Sequence, residues 1–288
     1  MNERNFSKLV AEALREDVGP GDVTTELCIT EDIEVEAVVR ARRTLVVSGT
    51  GPFLEVLRQV DPSVECRVLR RDGEEAAAGD AVANLRGSCA SILTAERTAL
   101  NFLQHLSGVA TLTRAFVREI GPGGPGLLDT RKTTPGLRNL EKDAVRHGGG
   151  INHRRALFDG ILIKDNHITA SGGVKAALAR ARAGAPVGMK VEIEVDTLEQ
   201  LQEALEGGAD IVLLDNMDPE ALKEAVAAAE AFFAPGPRRV LLEASGGVSL
   251  DTVKAISQTG VDFVSTGALT HSAPAADLGL DFFPRGVY

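Results

Sequence analysis

The chain has no tryptophan, one tyrosine and three cysteines in 288 residues. Aromatic residues make up 4% of it, too few to provide stacking platforms for single-stranded nucleic acid. Cys28, Cys66 and Cys89 are odd in number and lack CxxC spacing. That excludes a disulfide framework and a cysteine-bound metal, and the expected state of each is a buried, reduced thiol in a cytoplasmic protein. No apolar run approaches the ~20 residues of a membrane helix, and the opening MNERNFSKLV carries no apolar signal core. Basic residues are outnumbered, 31 Lys/Arg to 41 Asp/Glu, for a formal net charge of −10. Such a balance excludes a broad nucleic-acid or anionic-membrane surface. Neither a nucleic acid nor a membrane is expected as a partner.

Against that acidic background one window stands apart. Asp129 to His167 holds 8 of the 31 Lys/Arg but only 5 of the 41 Asp/Glu, together with His147, His153 and His167. It opens on DTRKTTPGLR and continues through HGGGINHRR to ILIKDNH. A local cluster of this size suits a small, multiply charged anion. Hydrophobic content of 44% and charged content of 25% are ordinary for a globular chain, and the length suits one large α/β domain with a smaller companion.

Helical spacing of Phe6, Leu9, Val10, Ala13 and Leu14 predicts a first helix over 3–17. From about 32 to 87 the chain reads as short extended runs (IEVEAVV, TLVVSG, VECRVLR, AVANLRG) around one helix, GPFLEVLRQV, which is a small α+β domain with an antiparallel sheet. A long helical region from Ser91 to Ile120 follows, with a break or bend expected at Ser107-Gly108, and GPGGPG at 121–126 closes it. The expected domains are 1–112, joined by the tail 270–288, and 113–269.

The second part repeats one unit: an apolar strand ending in a polar residue, a loop, then an amphipathic helix. The strands GLLDTRK, GILIKDN, MKVEIEVD, DIVLLDN, RVLLEASGG and DFVSTGA are continuous Val/Ile/Leu runs, as parallel strands buried on both faces require. Helices are expected over 171–183, 197–207, 218–233 and 249–258. Nearly every strand places its polar group at the carboxyl end: Arg131 and Lys132, Lys164, Glu194, Asp215, Ser245 and Thr266. Barrels build sites at one such mouth, whereas a doubly wound sheet uses two or three ends near its switch point. The fold expected is therefore α/β, an incomplete six- to seven-stranded β/α barrel with an N-terminal α+β open-sandwich domain.

Arginine forks bind carboxylates bidentately and lysine supplies a point charge. Arg131, Lys132 and Lys164 end buried strands, where a charge without a partner costs several kcal/mol, and are read as functional. Arg138, Lys142, Arg146 and Arg155 are read as a solvated basic loop. Glu194 and Asp215, on neighbouring strand ends, suit sugar hydroxyls, magnesium-bound phosphate or proton transfer, or else neutralise Lys132 and Lys164. Glu192 shares their face by strand alternation, so spacing does not choose between Glu192 and Glu194. EASGGV and STGAL end the last two strands with small residues, the usual barrel phosphate site. His105 and His271 belong to no HxH or HExxH pattern and read as packing histidines. Arg97, Asn101, Gln104 and Gly108 form a polar stripe on an apolar helix, either an interface or a reach into another site.

These segments, in this order, resemble the quinolinate phosphoribosyltransferase family. AERTALNFLQHLSGVAT, DTRKTTPGLR, KDAVRHGGGINHR, ILIKDNH, VEIEVDT, VLLDN and EASGG carry the likeness, with EDVGPGDVTT before them and STGALTHSAPAADLGLDF after. The resemblance implies transfer of a phosphoribosyl group from phosphoribosyl pyrophosphate to quinolinate, with decarboxylation, in NAD biosynthesis. It implies that Arg131, His153, Arg154 and Lys164 hold the quinolinate carboxylates, and that Lys132 lies by the anomeric carbon and pyrophosphate. Glu194 and Asp215 would contact the ribose hydroxyls and Mg2+-pyrophosphate. Ser245, Gly246, Gly247, Thr266, Gly267 and Ala268 would cradle the 5-phosphate. It further implies a homodimer, or a hexamer, with shared sites in which Arg97 comes from the partner subunit. Two other readings share the pattern: a related phosphoribosyltransferase-like protein of molybdenum transport clusters, and a non-catalytic dicarboxylate or phosphate sensor.

Overall fold

The computed structural model describes residues 6–31, 33–235 and 240–284. Along the chain run α1 (Ser7–Asp17), α2 (Val23–Cys28), β1 (Glu34–Ala41), β2 (Leu45–Val46), α3 (Thr50–Val60), β3 (Glu65–Val68), β4 (Glu75–Ala76), β5 (Ala81–Ser88) and α4 (Cys89–Ile120). Next come β6 (Gly126–Leu128), α5 (Arg138–Gly148), β7 (Ile161–Ile163), α6 (Asp165–Ser171), α7 (Val174–Gly184), β8 (Val191–Val195), α8 (Leu198–Glu206) and β9 (Ile211–Asp215). The last are α9 (Pro219–Phe233), β10 (Leu241–Ser245), α10 (Val253–Ser257), β11 (Phe263–Ser265), α11 (Ala268–His271) and β12 (Leu278–Pro284). None of the described helices is long and apolar enough to cross a membrane.

Two compact units result. One comprises the residues up to Arg114, Thr134–Gly149 and those from Ala273 on; the other comprises Ala115–Thr133 and Gly150–Ser272. The seam falls inside α4, ahead of the Gly/Pro segment at 121–126.

The first unit is built on an antiparallel sheet of order β12-β1-β5-β3. Alternation in β1 turns Val35, Ala37, Val39 and Ala41 inward and leaves Glu34 and Glu36 exposed, the period-2 pattern of a half-buried strand. Its core adds Phe53, Val56 and Leu57 of α3 and Ile92, Leu100 and Leu103 of α4. The break expected at Ser107-Gly108 is absent, and α4 runs unbroken for 32 residues. The two residues serve packing instead. The fully buried Ser107 hydroxyl accepts from Ser48 N at 3.0 Å and donates to Ser48 O at 3.1 Å. A Cβ on Gly108 would lie 2.1 Å from Pro274 O, so glycine there admits a backbone, not a kink.

The polar stripe of α4 accordingly divides. Gln104 bonds the 276–278 segment through Ala276 N→Gln104 O (2.9 Å) and Gln104 Nε2→Leu278 O (2.7 Å), while Arg97 and Asn101 remain exposed. Arg138, Lys142 and Arg146, expected in a solvated basic loop, lie instead on α5, where Lys142 and its neighbour Glu141 are fully buried. The Glu141 carboxylate accepts from Thr134 N at 3.0 Å and lies 2.8 Å from His105 Nε2, so His105 has an acid partner and is more than a packing residue. Among the cysteines only Cys89 is buried; Cys28 is exposed and Cys66 half-buried, its thiol pushed up to about 11 by desolvation. All three are free thiols.

The second unit is a six-stranded all-parallel sheet of order β6-β11-β10-β9-β8-β7, an incomplete β/α barrel whose strands are the six read from the sequence. A seventh position is only begun: Ile151 bridges Leu128 in parallel, with Ile151 N→Leu127 O at 2.8 Å and Asp129 N→Ile151 O at 3.2 Å. Two crossover helices carry clear start signals. Thr197 caps α8 through Gln200 N, and Asp218 caps α9 with Pro219 at its first turn, as N-terminal sterics and orphan N–H groups favour.

Candidate active site

Register sets the interior rows of the barrel. Glu194, Leu213, Glu243 and Phe263 are laterally paired across β8, β9, β10 and β11, so they share the inner face. Glu192 pairs with Ile211 one row nearer the amino ends, and Asp215 pairs with Ser245 one row nearer the carboxyl ends. Alternation thus places Glu192 and Glu194 on one face, and the geometry separates their duties. Glu194 Oε2 meets Lys164 Nζ at 2.8 Å. Glu192 is buried and meets His153 Nε2 at 2.9 Å.

His153 is aimed by its backbone. Asp129, fully buried, accepts from His153 N at 2.9 Å and from Asn152 Nδ2 at 2.6 Å. The first residue of the basic motif is thereby an anchor for the seventh-position segment. His153 Nδ1 in turn accepts the N–H of Arg154 at 2.7 Å, and the Arg154 guanidinium donates to Gly160 O at 3.0 Å. Burial, then the nearby charge of Arg131, pull the Arg154 pKa below the usual arginine value; Glu192 and Asp159 offset only part. Arg131 itself keeps a buried Nε with no hydrogen-bond partner.

Glu243 is the residue sequence reasoning missed. It is 1% exposed, and burial with the neighbouring Glu192 pushes its carboxyl up to about 8 despite His153 and the Ser265 hydroxyl. The signal was present as a single acid inside the apolar run RVLLEA. His153, Arg154, Glu192 and Glu243 line a cavity of about 650 Å³ that also takes in Ile161, Ile211, Phe263 and the 186–190 segment before β8. These are the amino-terminal rows of the barrel. Of the residues singled out from the sequence, His153 and Arg154 reach this cavity with Glu192, while Arg131, Lys132, Lys164, Glu194, Asp215 and the loops after β10 and β11 stand at the carboxyl ends of the strands, and Arg97 lies on α4 of the first unit.

At that mouth the expected burial is corrected for two residues. Lys132 and Lys164 are exposed rather than enclosed, whereas Arg131 is half-buried. Short strands explain it: β6 ends at Leu128 and β7 at Ile163, so both lysines leave from loops. Thr270 Oγ1 donates to Lys132 O at 2.7 Å. A Cβ on Gly267 would lie 2.9 Å from Lys132 Cδ and 2.9 Å from the His271 ring, so that glycine leaves room for the lysine stem. His271 is exposed and bonded to Ser272 Oγ at 2.7 Å, not packed in a core as expected.

Asn216, also overlooked in the sequence, knots the mouth. It adopts φ +54°, a conformation asparagine tolerates better than most residues. From there its amide donates to Asp215 Oδ2 at 2.7 Å and its N–H to Ser245 O at 2.9 Å. Gly246 (φ +87°) and Gly247 (φ +61°) follow, and a Cβ on Gly246 would come within 2.2 Å of Asn216 Oδ1. Thr266 Oγ1 donates to Val248 O at 3.1 Å and accepts from Ala268 N at 3.2 Å, tying the loop after β10 to the loop after β11.

Comparison with known proteins agrees along the length of the chain. Residues 22–107 match the quinolinate phosphoribosyl transferase N-terminal domain, and residues 109–281 match the C-terminal domain. A probable nicotinate-nucleotide pyrophosphorylase [carboxylating] of Bacillus subtilis is 40% identical over 281 residues, covering 98% of this chain and 94% of that one. The nicotinate-nucleotide pyrophosphorylase [carboxylating] of Mycobacterium leprae is 42% identical over 275 residues, covering 94% and 95%. The solved structure of the Francisella tularensis nicotinate-nucleotide pyrophosphorylase superposes with a TM-score of 0.92 at 41% identity over 98% of both chains. The chain belongs to the quinolinate phosphoribosyltransferase family.

Proposed function

We propose that the chain transfers the phosphoribosyl group of phosphoribosyl pyrophosphate to quinolinate, releasing pyrophosphate and carbon dioxide and forming nicotinate mononucleotide for NAD biosynthesis. The observation that carries this reading is the arginine pair. Arg131 and Arg154 repel each other in a partly dry interior, and Arg131 holds a buried N–H without a partner. An incoming group with two carboxylates relieves both costs at once.

Arg131 and Arg154 take the carboxylates, joined by Lys164 once it exchanges Glu194 for substrate. Lys132 faces the anomeric carbon and the leaving pyrophosphate. Ser245, Gly246, Gly247, Thr266, Gly267 and Ala268 hold the 5-phosphate. Glu194 and Asp215 offer hard oxygen donors to the ribose hydroxyls and to magnesium, which binds through one or two carboxylates plus substrate phosphates. Magnesium, when bound, supplies charge neutralisation to the departing pyrophosphate.

The cations position the pyridine nitrogen against the anomeric carbon, and such orientation lowers the barrel enzyme's barrier by making attack effectively unimolecular. The C–N bond forms as the C–O bond to pyrophosphate breaks. The resulting pyridinium nitrogen then accepts electron density as the C2–carboxylate bond cleaves, carbon dioxide departs, and C2 takes a proton. Arg97, exposed on α4, completes the site of a second subunit in a homodimer.

The test is incubation with quinolinate, phosphoribosyl pyrophosphate and magnesium, following pyrophosphate and carbon dioxide together. Equimolar release of both is expected. Quinolinate binding without pyrophosphate release would overturn the reading and favour a dicarboxylate sensor.

A further inference from the structure

β9 and β10 end side by side, with Asp215 opposite Ser245. Asn216, the next residue, is the one non-glycine residue with a positive φ among the described residues, at +54°. Its turn carries the backbone N–H across to Ser245 O at 2.9 Å. Its side-chain amide donates back to Asp215 Oδ2 at 2.7 Å. A carboxylate only accepts, so the NH2 group faces Asp215 and Oδ1 faces the other way. There Oδ1 fills the place of a side chain at 246: a Cβ on Gly246 would lie 2.2 Å from Asn216 Oδ1 and 2.9 Å from Asn216 N. One exposed residue thus touches both the acid that ends β9 and the loop after β10.

The two partners depend on Asn216 unequally. Its amide makes the only hydrogen bond to the Asp215 carboxylate among the described residues, and Asp215 Oδ1 stays open to a ligand. The loop after β10 has two further ties on its far side. Thr252 Oγ1 donates to Gly247 O at 3.1 Å, and Thr266 Oγ1 donates to Val248 O at 3.1 Å. Neither threonine bonds to Asp215. A turn alone would be served as well by glycine, which takes a positive φ without steric cost. Asparagine adds the amide that glycine lacks.

We propose that Asn216 is a positioning residue that holds the Asp215 carboxylate and the Gly246–Gly247 loop in one register. A sugar phosphate then bridges the two, its phosphate on the loop and its ring hydroxyls at Asp215 Oδ1. Asn216 acts through these groups and leaves the quinolinate side of the site alone. Without the amide, Asp215 loses its alignment with the loop. A ligand that spans both must then realign them, whereas one confined to the loop is unaffected. The inference rests on reading Asp215 and this loop as the ribose and 5-phosphate sites.

Two probes separate these contributions, each titrated calorimetrically in EDTA so that magnesium plays no part. Inorganic phosphate reads the loop alone, and ribose 5-phosphate reads loop and acid together. Asn216→Gly keeps the turn and removes the amide. It is expected to weaken ribose 5-phosphate about tenfold, the low end for a hydrogen bond to a charged group, and inorganic phosphate by less than about twofold. Asp215→Ala should also weaken ribose 5-phosphate, and adding Asn216→Gly to it should bring less than about twofold more, because the amide then has nothing to hold. In turnover, Asn216→Gly should raise the KM for phosphoribosyl pyrophosphate about tenfold and leave that for quinolinate within about twofold. Thr252→Val loosens the same loop without reaching Asp215, and should weaken both probes alike. Asn216→Ala removes the amide from a stiffer backbone and should repeat the selective loss; it decides if Asn216→Gly fails to fold. The proposal is overturned if ribose 5-phosphate affinity stays within about twofold of wild type in the Asn216 variants, or if the two single losses multiply in the double variant. It is also overturned if Thr252→Val reproduces the selective loss. A wild type that binds neither probe overturns the proposed function as well, whereas wild-type binding that survives unchanged in Asn216→Gly overturns this inference alone.

Discussion

Removing one carboxylate from the substrate is the sharpest probe of the arginine pair. Nicotinate carries one carboxylate where quinolinate carries two, so one guanidinium of Arg131 and Arg154 would be left in a desolvated site without an anion. Burial and mutual repulsion already depress Arg154 before ligand arrives, and Arg131 already has one unpartnered N–H. A hydrogen bond to a charged group contributes about 1.5–3 kcal/mol, and a bidentate fork makes two, so the loss is about 3–6 kcal/mol. At about 1.4 kcal/mol per decade, kcat/KM for nicotinate should fall roughly 100- to 10,000-fold. The assay is pyrophosphate release at saturating phosphoribosyl pyrophosphate, with each acid varied. Arg154→Ala should shrink the discrimination below about tenfold, since the second fork is then gone for both acids. Values for the two acids within tenfold of each other in the unmodified protein would refute the reasoning.

Glu194→Ala and Asp215→Ala should cripple turnover while leaving calorimetric quinolinate affinity nearly intact; abolished binding in folded Glu194→Ala would reverse the assignment. Arg97→Ala and Lys164→Ala, each nearly inactive alone, should regain roughly a quarter of wild-type activity when unfolded together and refolded as mixed dimers. Exchange of subunits without regained activity would place Arg97 outside a shared site. Between about 4.5 and about 8, folded Glu243 keeps a proton that the unfolded chain has released, so this group subtracts stability as pH rises through that window, and the loss is complete above it. Melting temperature should consequently fall less between pH 6 and pH 9 in Glu243→Gln than in the wild type, and parallel curves would contradict it. Gly108→Ala should lower the melting temperature, because crowding the Pro274 carbonyl costs about 1–3 kcal/mol against a helix-propensity gain of about 1 kcal/mol; an increase would show that the 274–276 backbone yields freely.

The strands of the barrel were legible because buried parallel strands need uninterrupted Val/Ile/Leu, and those runs stand out between helices. The Lys164–Glu194 pairing was legible in kind, since both end adjacent strands, but their exposure was not: how far a strand extends past its last apolar residue depends on its neighbours. α5 was hidden because RNLEKDAVRHG has only Leu140, Ala144 and Val145 to mark a buried face, and three of its buried side chains, Glu141, Lys142 and Asp143, are charged. Charge normally signals solvent, so burial of Glu141 is decided by partners the local pattern does not show, Thr134 N and the ring of His105, 36 residues earlier. Glu243 was passed over for the same reason. One acid among leucines and alanine reads as a strand end, and only the meeting with Glu192 and His153, on other elements, gives it a role.

Pairing of β1 with β12 has a consequence for the order of events during synthesis. Arg42, just after β1, forms an ion pair with Asp281 of β12 across 239 residues of sequence. At about 5–20 residues per second, β12 leaves the ribosome on the order of 10–50 s after β1. Throughout that interval β1 has β5 on one side and a bare row of N–H and C=O groups on the other. An open edge of this kind is a template for wrong partners, and Gly108 waits equally for the 274–276 segment that fills its notch. The first unit begun is thus the last completed, and its nascent form is a client for any factor that recognises unpaired strands.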